Sequence, residues 1–448
     1  MPYVSDNDKA RMSTLATEWM KIANSSEMQE LKEKWRDIND LKSNVPVVRT
    51  SAFALPGFVK DNELLCEDPK LRLVEKNMFG LLKQYHIIKD DMVIEPYLRI
   101  PWEIYCTELG VDVAVKYSSN NNGDELAYAF ENPIRDPDDI QKLRKRRFFV
   151  DREKPLEFQE KLDTALSNAM PVKVGNISFT NGASFFQMQT VKDSFNSNKE
   201  AINSSSTGIL VGNNYCGVTV ELFMLLGYER LMYWLYDEPE AIHAIMAYLT
   251  EDRIALYQFL EKEQLLDFNT DNQFVGSVNY GYCSELPPVE TKRPAMLKDV
   301  WGWCEAQETV VLSPEMYGEF VAPYMGRMGS MFGRVAYGCC ERLDDRYDII
   351  TKEVPNVKML CVTRWNDLKS LAEQCEGKQA FFRKLAPEYI SGAKPSWESF
   401  EDDVRNTYEA TRGKNTMLIF EDLYDVNHDW KRLRDAVIRA REIMKGDC

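Results

Sequence analysis

The feature that most constrains the fold is a repeated alternation, from about residue 93 onward, of short apolar runs with amphipathic helical stretches. Runs that are apolar on both faces are typical of strands in a parallel sheet covered by helices. Roughly eight strand–helix units predict an α/β fold, a closed (β/α)8 TIM-like barrel. The runs predicted as strands are Glu95–Trp102, Val111–Tyr117, Val172–Phe179, Gly208–Gly212, Phe274–Tyr280, Val300–Ala306, Arg334–Cys340, Val357–Thr363, Ala380–Leu385 and Met417–Glu421.

Helix start signals separate many of these runs. Asp136 and Ser313 each precede a proline, which is the usual arrangement of an N-cap followed by the first helical residue. The helices predicted in this part are Pro137–Lys145, Pro155–Met170, Thr219–Leu235, Pro239–Glu263, Ser313–Phe332, Asp344–Lys352, Asn366–Gln374, Ser396–Arg412 and His428–Met444. Before the barrel, residues 8–42 and 68–88 have helical periodicity, whereas 44–66 looks irregular. We therefore predict an N-terminal helical extension over 1–90 and a barrel over 91–448.

Composition excludes several classes of function. The formal net charge of −16 and a pI near 4.9 oppose binding to nucleic acids or anionic membranes. No apolar stretch is long enough to span a bilayer, and Met1–Lys21 lacks the apolar core of a signal peptide. The ten cysteines are scattered, as expected for reduced thiols. These features predict a cytoplasmic protein.

One stretch combines several groups that can carry chemistry. The apolar residues Val335–Tyr337 lead into Gly338, Cys339, Cys340 and Glu341. If the strand continues, its alternation places Tyr337, Cys339 and Glu341 on one face and Cys340 on the other. A thiolate and a carboxylate two residues apart can bind one metal ion. Equally, adjacent cysteines in an apolar strand can be small core residues, and Glu341 can pair with a neighbouring arginine.

Other polar and aromatic residues follow the predicted strands. The carboxyl ends of barrel strands meet at one face, where active sites of such barrels lie. The aromatic residues there suit a flat substrate. The three histidines lie away from the strand ends, which disfavours a histidine-based metal site.

Several motifs together resemble the uroporphyrinogen decarboxylase superfamily. They are Leu226–Met232, Tyr236–Ile242, Cys304–Gln307, Leu312–Phe320 and the Tyr-Gly-Cys-Cys-Glu sequence Tyr337–Glu341. The last motif is similar to that of a decarboxylase-like branch of corrinoid-dependent methyltransferases. The resemblance implies a (β/α)8 barrel and one of two activities, decarboxylation of a tetrapyrrole without a cofactor or zinc-dependent methyl transfer to or from a corrinoid protein.

The chain departs from both patterns. The arginine-rich stretch of the decarboxylases is missing, with only Arg49 in that region. The His-x-Cys of the methyltransferases is replaced by Tyr337-Gly338-Cys339, and Glu421 or Asp422 stands near the last ligand position.

We therefore expect a methyltransferase that moves a methyl group between a small methylated substrate, such as an aryl methyl ether, and a corrinoid protein, with zinc assisting. The corrinoid is expected on the partner, since the chain lacks an Asp-x-His-x-x-Gly motif. The expected metal ligands are Cys339, Cys340, Glu341 and Glu421. The expected catalytic residues are Tyr337, Gln307 and Glu308. The expected substrate-binding residues are Trp102, Asn213, Tyr282, Trp303 and Arg383.

Three alternatives stay open. The first is methyl transfer from a corrinoid protein to tetrahydrofolate or a thiol. The second is a cofactor-free decarboxylase, and the third is a metal-free barrel that only binds a ligand. A homodimer is one option for the assembly.

Overall fold

The computed structural model describes residues 3–52, 55–107, 109–119, 125–175, 214–423 and 425–446. Its centre is a parallel sheet of six strands in the order β1-β12-β11-β10-β9-β8. The strands are β1 (Val47–Thr50), β2 (Leu98–Pro101), β3 (Glu103–Cys106), β4 (Ala114–Ser119), β5 (Glu125–Glu131), β6 (Phe148–Asp151), β7 (Val172–Gly175), β8 (Trp301–Cys304), β9 (Arg334–Tyr337), β10 (Val357–Val362), β11 (Ala380–Lys384) and β12 (Thr416–Phe420).

The predicted mixture of parallel strands and helices is confirmed, but closure into a barrel stays a prediction. Tyr215 bridges to Trp303 and so extends the sheet beyond β8. Strands β2 and β7 form a separate parallel pair. Within the described ranges, the outer strands β1 and β8 are not joined to each other.

Helices surround the sheet. They are α1 (Asp6–Ala23), α2 (Ser26–Asn39), α3 (Pro69–Ile87), α4 (Glu153–Ala165), α5 (Thr219–Leu226), α6 (Tyr228–Asp237), α7 (Pro239–Lys262), α8 (Pro314–Phe320), α9 (Ala322–Gly329), α10 (Tyr347–Glu353), α11 (Leu368–Cys375), α12 (Trp397–Thr411) and α13 (Trp430–Met444). No helix of the described ranges combines the length and the apolar character needed to cross a membrane.

Three predicted helices differ from the structure. The stretch Thr219–Leu235 divides at Gly227, whose φ of +75° breaks the helix. A Cβ at this position would lie 2.4 Å from Oδ1 of Asn132. The stretch Ser313–Phe332 divides at Val321, just before Pro323. The stretch after Asp136 is a 3₁₀ helix that ends at Lys142, although Asp136 caps it as expected.

Several strand predictions also need correction. Phe274–Tyr280 is a loop whose two ends form a single antiparallel bridge. The prediction over Val111–Tyr117 corresponds to β4, which pairs antiparallel with β5. The prediction over Gly208–Gly212 lies outside the described residues, as does the end of Val172–Phe179.

The region predicted as an N-terminal helical extension contains α1, α2 and α3, but it also supplies a strand of the central sheet. Strand β1 lies in segment 44–66, which was predicted to be irregular, and pairs with β12 in parallel. Four residues are too few to give a clear alternating pattern, so the local sequence does not identify this strand. Its strand conformation depends on the pairing with β12. The division at residue 90 stays a prediction.

Both faces of the sheet are buried, which explains the continuous apolar runs. Trp301, Met359 and Phe382 pack on one face with residues of α1 and α2. Val335 and Leu360 pack on the other face with residues of α7 and α9. The sheet therefore leaves only its strand ends for chemistry.

We expect Gly302→Ala to destabilise the protein. A Cβ at Gly302 would lie 2.4 Å from Cδ2 of the Phe332 ring, so the packed ring would have to move. Overpacking of this kind costs about 1–3 kcal/mol of unfolding free energy, which urea unfolding can measure.

The matched control is Gly318→Ala in α8. A Cβ there meets only Ile349, at ordinary contact distances of 3.6 and 3.7 Å. This variant should be as stable as the wild type or more stable by up to about 1 kcal/mol, because alanine favours the helix. Equal destabilisation of both variants would contradict the packing of Phe332 on Gly302.

Candidate functional site

The five strands β8 to β12 run parallel, so the residues that follow them meet at one edge of the sheet. Polar and sulfur-bearing side chains collect there. We call this group the carboxyl-edge cluster. It consists of Glu305, Glu308, Cys339, Cys340, Glu341, Lys384, Glu421 and Asp422.

The two cysteines lie together rather than on opposite faces. Strand β9 ends at Tyr337, and Gly338 has a φ of +100°, a conformation that glycine adopts readily. The turn places the sulfurs of Cys339 and Cys340 at 3.9 Å. The prediction that Cys340 points away from Cys339 is therefore wrong, because the strand does not continue past Gly338.

Lys384 lies among the anionic groups of the cluster. Its Nζ is 3.4 Å from Sγ of Cys340, 2.8 Å from Oδ2 of Asp422 and 3.4 Å from Oε2 of Glu421. Glu421 also accepts a hydrogen bond of 2.8 Å from the Ser277 hydroxyl. Burial opposes the charge of Lys384, but Glu421 and the thiols outweigh it and raise the pKa of the ammonium well above its ordinary value.

The two thiols differ in acidity. A hydrogen bond from the Cys339 thiol lowers the pKa of Cys340 to about 7; burial opposes this shift and Lys384 adds to it. The same hydrogen bond, together with burial, raises the pKa of Cys339 well above its ordinary value. Near neutral pH, Cys340 is thus the thiolate of the pair and Cys339 its donor.

Three carboxyl groups form the other half of the cluster. Glu305 is buried, accepts a hydrogen bond from the Tyr215 hydroxyl, and accepts another of 2.9 Å from the backbone of Gln307. Glu308 is half-buried and accepts a bond of 2.7 Å from the Thr219 hydroxyl.

The third carboxyl group, Glu341, is fully buried. Its Oε1 accepts a bond of 2.9 Å from the backbone N–H of Ala306, and its Oε2 has no partner within the described part of the chain. These contacts turn Glu341 toward the loop after β8.

Burial and mutual repulsion keep these acids protonated to higher pH than usual. Burial raises the pKa of Glu341 to about 7. Burial, followed by the charges of Glu308 and Glu341, raises the pKa of Glu305 well above its ordinary value. Burial also raises the pKa of Glu308. The cluster therefore contains carboxylic acids that can donate a proton near neutral pH.

An aromatic pair borders the cluster. The rings of Tyr215 and Trp303 have centroids 5.0 Å apart, and the Trp303 indole donates to the carbonyl of Gly338 at 3.0 Å. Tyr337, in contrast, is buried in the core, where its hydroxyl pairs with that of Tyr317. Gln307 contributes its side-chain oxygen, which accepts from the backbone of Cys340 at 3.3 Å.

Arg383 does not join the cluster. Its guanidinium donates to the Thr407 hydroxyl at 3.2 Å and to the carbonyl of Val362 at 3.1 Å. Thr407 belongs to α12, so Arg383 lies on the face of the sheet that α12 covers. Lys384, the next residue, points the opposite way because side chains alternate along a strand. Sequence analysis named Arg383 as a substrate-binding residue, and the residue that contacts a thiol of the cluster is Lys384.

The remaining predicted substrate residues lie elsewhere. The Tyr282 hydroxyl donates to Oε1 of Glu95 at 2.5 Å. Trp102 follows β2 and has the Arg152 guanidinium 5.4 Å from its ring. Asn213 lies outside the described residues.

Sequence reasoning gave no assigned role to Glu305, Tyr215, Thr219 or Lys384, although it placed the stretches that contain Glu305, Tyr215 and Lys384 at strand ends. A signal existed for Glu305, because it lies two residues after Trp303 and so shares its side of the chain. Tyr215 and Thr219 carry no such signal, since they approach β8 from a distant part of the chain.

The four predicted zinc ligands do not fit one zinc ion in this arrangement. Glu341 is turned toward Ala306, and the Lys384 ammonium lies against Cys340 and Glu421. Among the residues that the structure describes, no group of three or more His, Cys, Asp or Glu side chains is arranged to hold a metal ion. No step proposed below uses a zinc ion bound by this chain.

The solved structures that resemble this chain include a methyltransferase from Methanosarcina mazei, with a TM-score of 0.42 and 11% sequence identity over 92% of this chain and 98% of that chain. A likeness this distant carries no argument about this chain. No protein-family model and no curated protein matches the sequence. The resemblance to the uroporphyrinogen decarboxylase superfamily therefore stays a prediction.

We expect Cys340 to react with iodoacetamide along a titration curve centred near pH 7. In Cys339→Ala, the curve should move to higher pH, because the hydrogen bond that stabilises the thiolate is lost. Mass spectrometry of the labelled peptides measures both curves. The matched control is Cys375, whose pKa burial raises to about 12, so it should stay unlabelled in the folded protein. Reaction of Cys340 only above about pH 8.5, the ordinary thiol value, would contradict this assignment.

We also expect Glu341→Gln to alter how stability depends on pH. The folded protein holds the Glu341 proton more tightly than the unfolded chain, since its pKa rises from 4.5 to about 7. The stability from this proton is therefore full below pH 4.5 and is lost as pH rises through 7. Glutamine stays neutral at both pH values. The unfolding free energy of the variant should therefore rise relative to that of the wild type between pH 5 and pH 8, by on the order of 2–3 kcal/mol.

Urea unfolding at the two pH values measures this gain. Glu373→Gln, an exposed position on α11, is the control and should follow the wild-type curve. Parallel pH dependence in wild type and Glu341→Gln would show that Glu341 is not held protonated.

Proposed function

We propose that the protein is a methyltransferase that moves a methyl group between a small methylated substrate, such as an aryl methyl ether, and a corrinoid protein. The proposal places the reaction at the carboxyl-edge cluster. Its support from the sequence is the resemblance carried by Tyr337–Glu341. Its support from the structure is the set of carboxyl groups whose pKa values burial raises, beside an aromatic pair.

The observation that carries the proposal is the environment of Glu308. The Thr219 hydroxyl donates to Oε2 of this half-buried carboxyl group, and the proposal assigns the acidic proton to Oε1. Burial raises its pKa, so the proton is retained nearer to neutral pH. A methyl ether is a poor methyl donor because its oxygen leaves as an anion, and a positioned acid removes that barrier.

In the proposed step, the bond between the methyl carbon and the substrate oxygen breaks. The oxygen keeps the electron pair of that bond and takes the proton from Oε1 of Glu308, so that an alcohol or phenol leaves and Glu308 becomes a carboxylate. A reduced corrinoid on the partner protein would supply the electron pair that accepts the methyl group. Glu305, buried and bonded to Tyr215, fixes the position of the Tyr215 ring.

The aromatic pair and the backbone of Cys340 have positioning roles in this proposal. The rings of Trp303 and Tyr215 offer a flat apolar wall for an aryl group. The hydrogen bond from the backbone N–H of Cys340 to the side-chain oxygen of Gln307 holds the loop after β8 against the loop after β9. Both contacts keep Glu308 in place while the substrate is exchanged.

The decarboxylase alternative is less well supported. Acidic substrates need cations to bind their carboxylates. Lys384, the cation of the carboxyl-edge cluster, already faces Glu421 and Asp422. Transfer of a methyl group to tetrahydrofolate or a thiol remains the reverse-direction form of the same proposal.

We expect Glu308→Gln to lower kcat for methoxy-aromatic substrates by about 10²–10⁴-fold, the usual contribution of a general acid. The loss should be smaller for 4-nitroanisole, because nitrophenolate leaves without needing a proton. The activity of the wild type should fall at alkaline pH as Glu308 loses its proton, and the variant should lack this fall. Formation of methylcobalamin from reduced cobalamin, alone or on a corrinoid protein, measures the rate by absorbance.

Glu373→Gln, exposed on α11, is the matched control and should keep wild-type kinetics. Equal losses for anisole and 4-nitroanisole would mean that Glu308 is not the acid. Absence of methyl transfer from a broad panel of methylated substrates in the wild type would reject the proposed function and favour a barrel that only binds a ligand.

A further inference from the structure

We propose that Cys339 and Cys340 are a site of oxidative modification, at which hydrogen peroxide oxidises Cys340 and Cys339 then closes a reversible disulfide between the two adjacent residues. The proposal assigns this chemistry to the turn that follows β9. It rests on the arrangement of the two thiols and does not depend on the proposed methyl transfer.

Solvent access separates this pair from the other cysteines that the structure describes. All nine of these cysteines are free thiols, and seven of them are buried. Cys339 and Cys340 are half-buried and lie in a turn at the carboxyl edge of the sheet, not within a strand. Peroxide must reach a sulfur to oxidise it, so accessible thiols are oxidised before buried ones. Within the described part of the chain, the pair is therefore the most accessible target.

The contacts of the two sulfurs give them different roles. The thiol of Cys339 donates to Sγ of Cys340 at 3.9 Å, and Nζ of Lys384 lies 3.4 Å from the same Sγ. A hydrogen-bond donor and a cation both stabilise negative charge on the sulfur of Cys340. The thiolate is the form of cysteine that attacks peroxide. Cys340 is thus the attacking sulfur, and Cys339 is the thiol that lies beside the product.

The reaction has two steps. In the first, the thiolate of Cys340 attacks one oxygen of hydrogen peroxide, the O–O bond breaks, and hydroxide leaves, so that Cys340 becomes a sulfenic acid. The leaving hydroxide takes the proton of the Cys339 thiol and becomes water. In the second step, the Cys339 thiolate attacks the sulfur of Cys340, the S–O bond breaks, and hydroxide leaves. The two sulfurs together lose two electrons, which the peroxide gains.

A disulfide between adjacent residues is easily reduced. Neighbouring Cα atoms lie about 3.8 Å apart across a trans peptide, whereas the Cα atoms of most disulfides are about 4.4–6.8 Å apart. The resulting strain makes the bond labile, which is typical of regulatory disulfides.

Closing the disulfide also affects the turn that carries it. The sulfurs must approach from 3.9 Å to about 2.05 Å. The backbone N–H of Cys340 donates to Gln307 at 3.3 Å, and the Trp303 indole donates to the carbonyl of Gly338 at 3.0 Å. Oxidation therefore acts on the contacts that join the loops after β8 and β9.

The experiment measures the modification on one tryptic peptide and needs no substrate. Trypsin cuts after Arg334 and Arg342, so both cysteines lie in peptide 335–342, which contains no other cysteine. The folded, reduced protein is treated with submillimolar hydrogen peroxide, its free thiols are blocked with iodoacetamide, and the digest is analysed by mass spectrometry. We expect this peptide to take up no iodoacetamide and to be about 2 Da lighter than its dithiol form, because two hydrogens are lost. Dithiothreitol added before blocking should restore both thiols.

Two variants make the result specific. In Cys339→Ser the second thiol is gone, so peptide 335–342 should gain about 32 or 48 Da as a sulfinic or sulfonic acid, and the share that dithiothreitol restores should fall about tenfold. Cys339→Ala serves if Cys339→Ser does not fold. Cys361→Ser is the matched control, because the buried thiol of Cys361 donates to the carbonyl of Cys339 at 2.9 Å. This variant should still give the lighter peptide.

Three results overturn the inference. The first is a wild-type peptide 335–342 that keeps both thiols free under this treatment. The second is a disulfide that joins it to peptide 359–364, because Cys361 would then be the partner of the oxidised cysteine. The third is sulfinic acid that forms as fast in the wild type as in Cys339→Ser, because Cys339 would then not capture the sulfenic acid.

Discussion

The parallel pairing of β8 to β12 is the constraint on which the candidate site depends. Parallel strands must all end at the same edge of the sheet, so the loops that follow them lie close together. Within the described part of the chain, those loops bring the five carboxyl groups and two thiols of the carboxyl-edge cluster to this edge. Crowding of like-charged groups at a buried edge is unfavourable unless some are protonated or paired with a cation.

The two halves of the cluster meet this constraint in different ways. On the side of β8, burial outweighs the nearby charge of Arg346 and raises the pKa of Glu341, and burial also raises the pKa of Glu305. On the side of β11, the ammonium of Lys384 compensates Glu421 and Asp422, and it adds to the hydrogen bond from Cys339 that lowers the pKa of Cys340. The result is an edge with proton donors on one side and a fixed cation on the other.

Much of the fold and part of the site were predictable. The apolar runs of β8 to β12 give clear strand patterns because both faces of the sheet are buried. The prediction that Glu308, Cys339, Cys340 and Glu421 meet at one edge follows from parallel topology and is consistent with their positions. The loop over Phe274–Tyr280 has a strand-like composition, but its aromatic residues pack against Arg49 instead of pairing in the sheet.

The sequence by itself determined the kinds of element and the collection of acids and thiols at the strand ends, since apolar periodicity and parallel connections follow from local patterns. Only the tertiary structure decided that Lys384 rather than Arg383 faces the thiols, because that choice depends on the register of β11 between β10 and β12. It also decided that Cys340 turns toward Cys339, through the positive φ of Gly338, and that Glu341 keeps its proton, through burial beside Glu308. Register, turn geometry and desolvation each arise from contacts between segments far apart in the chain, which no local pattern encodes.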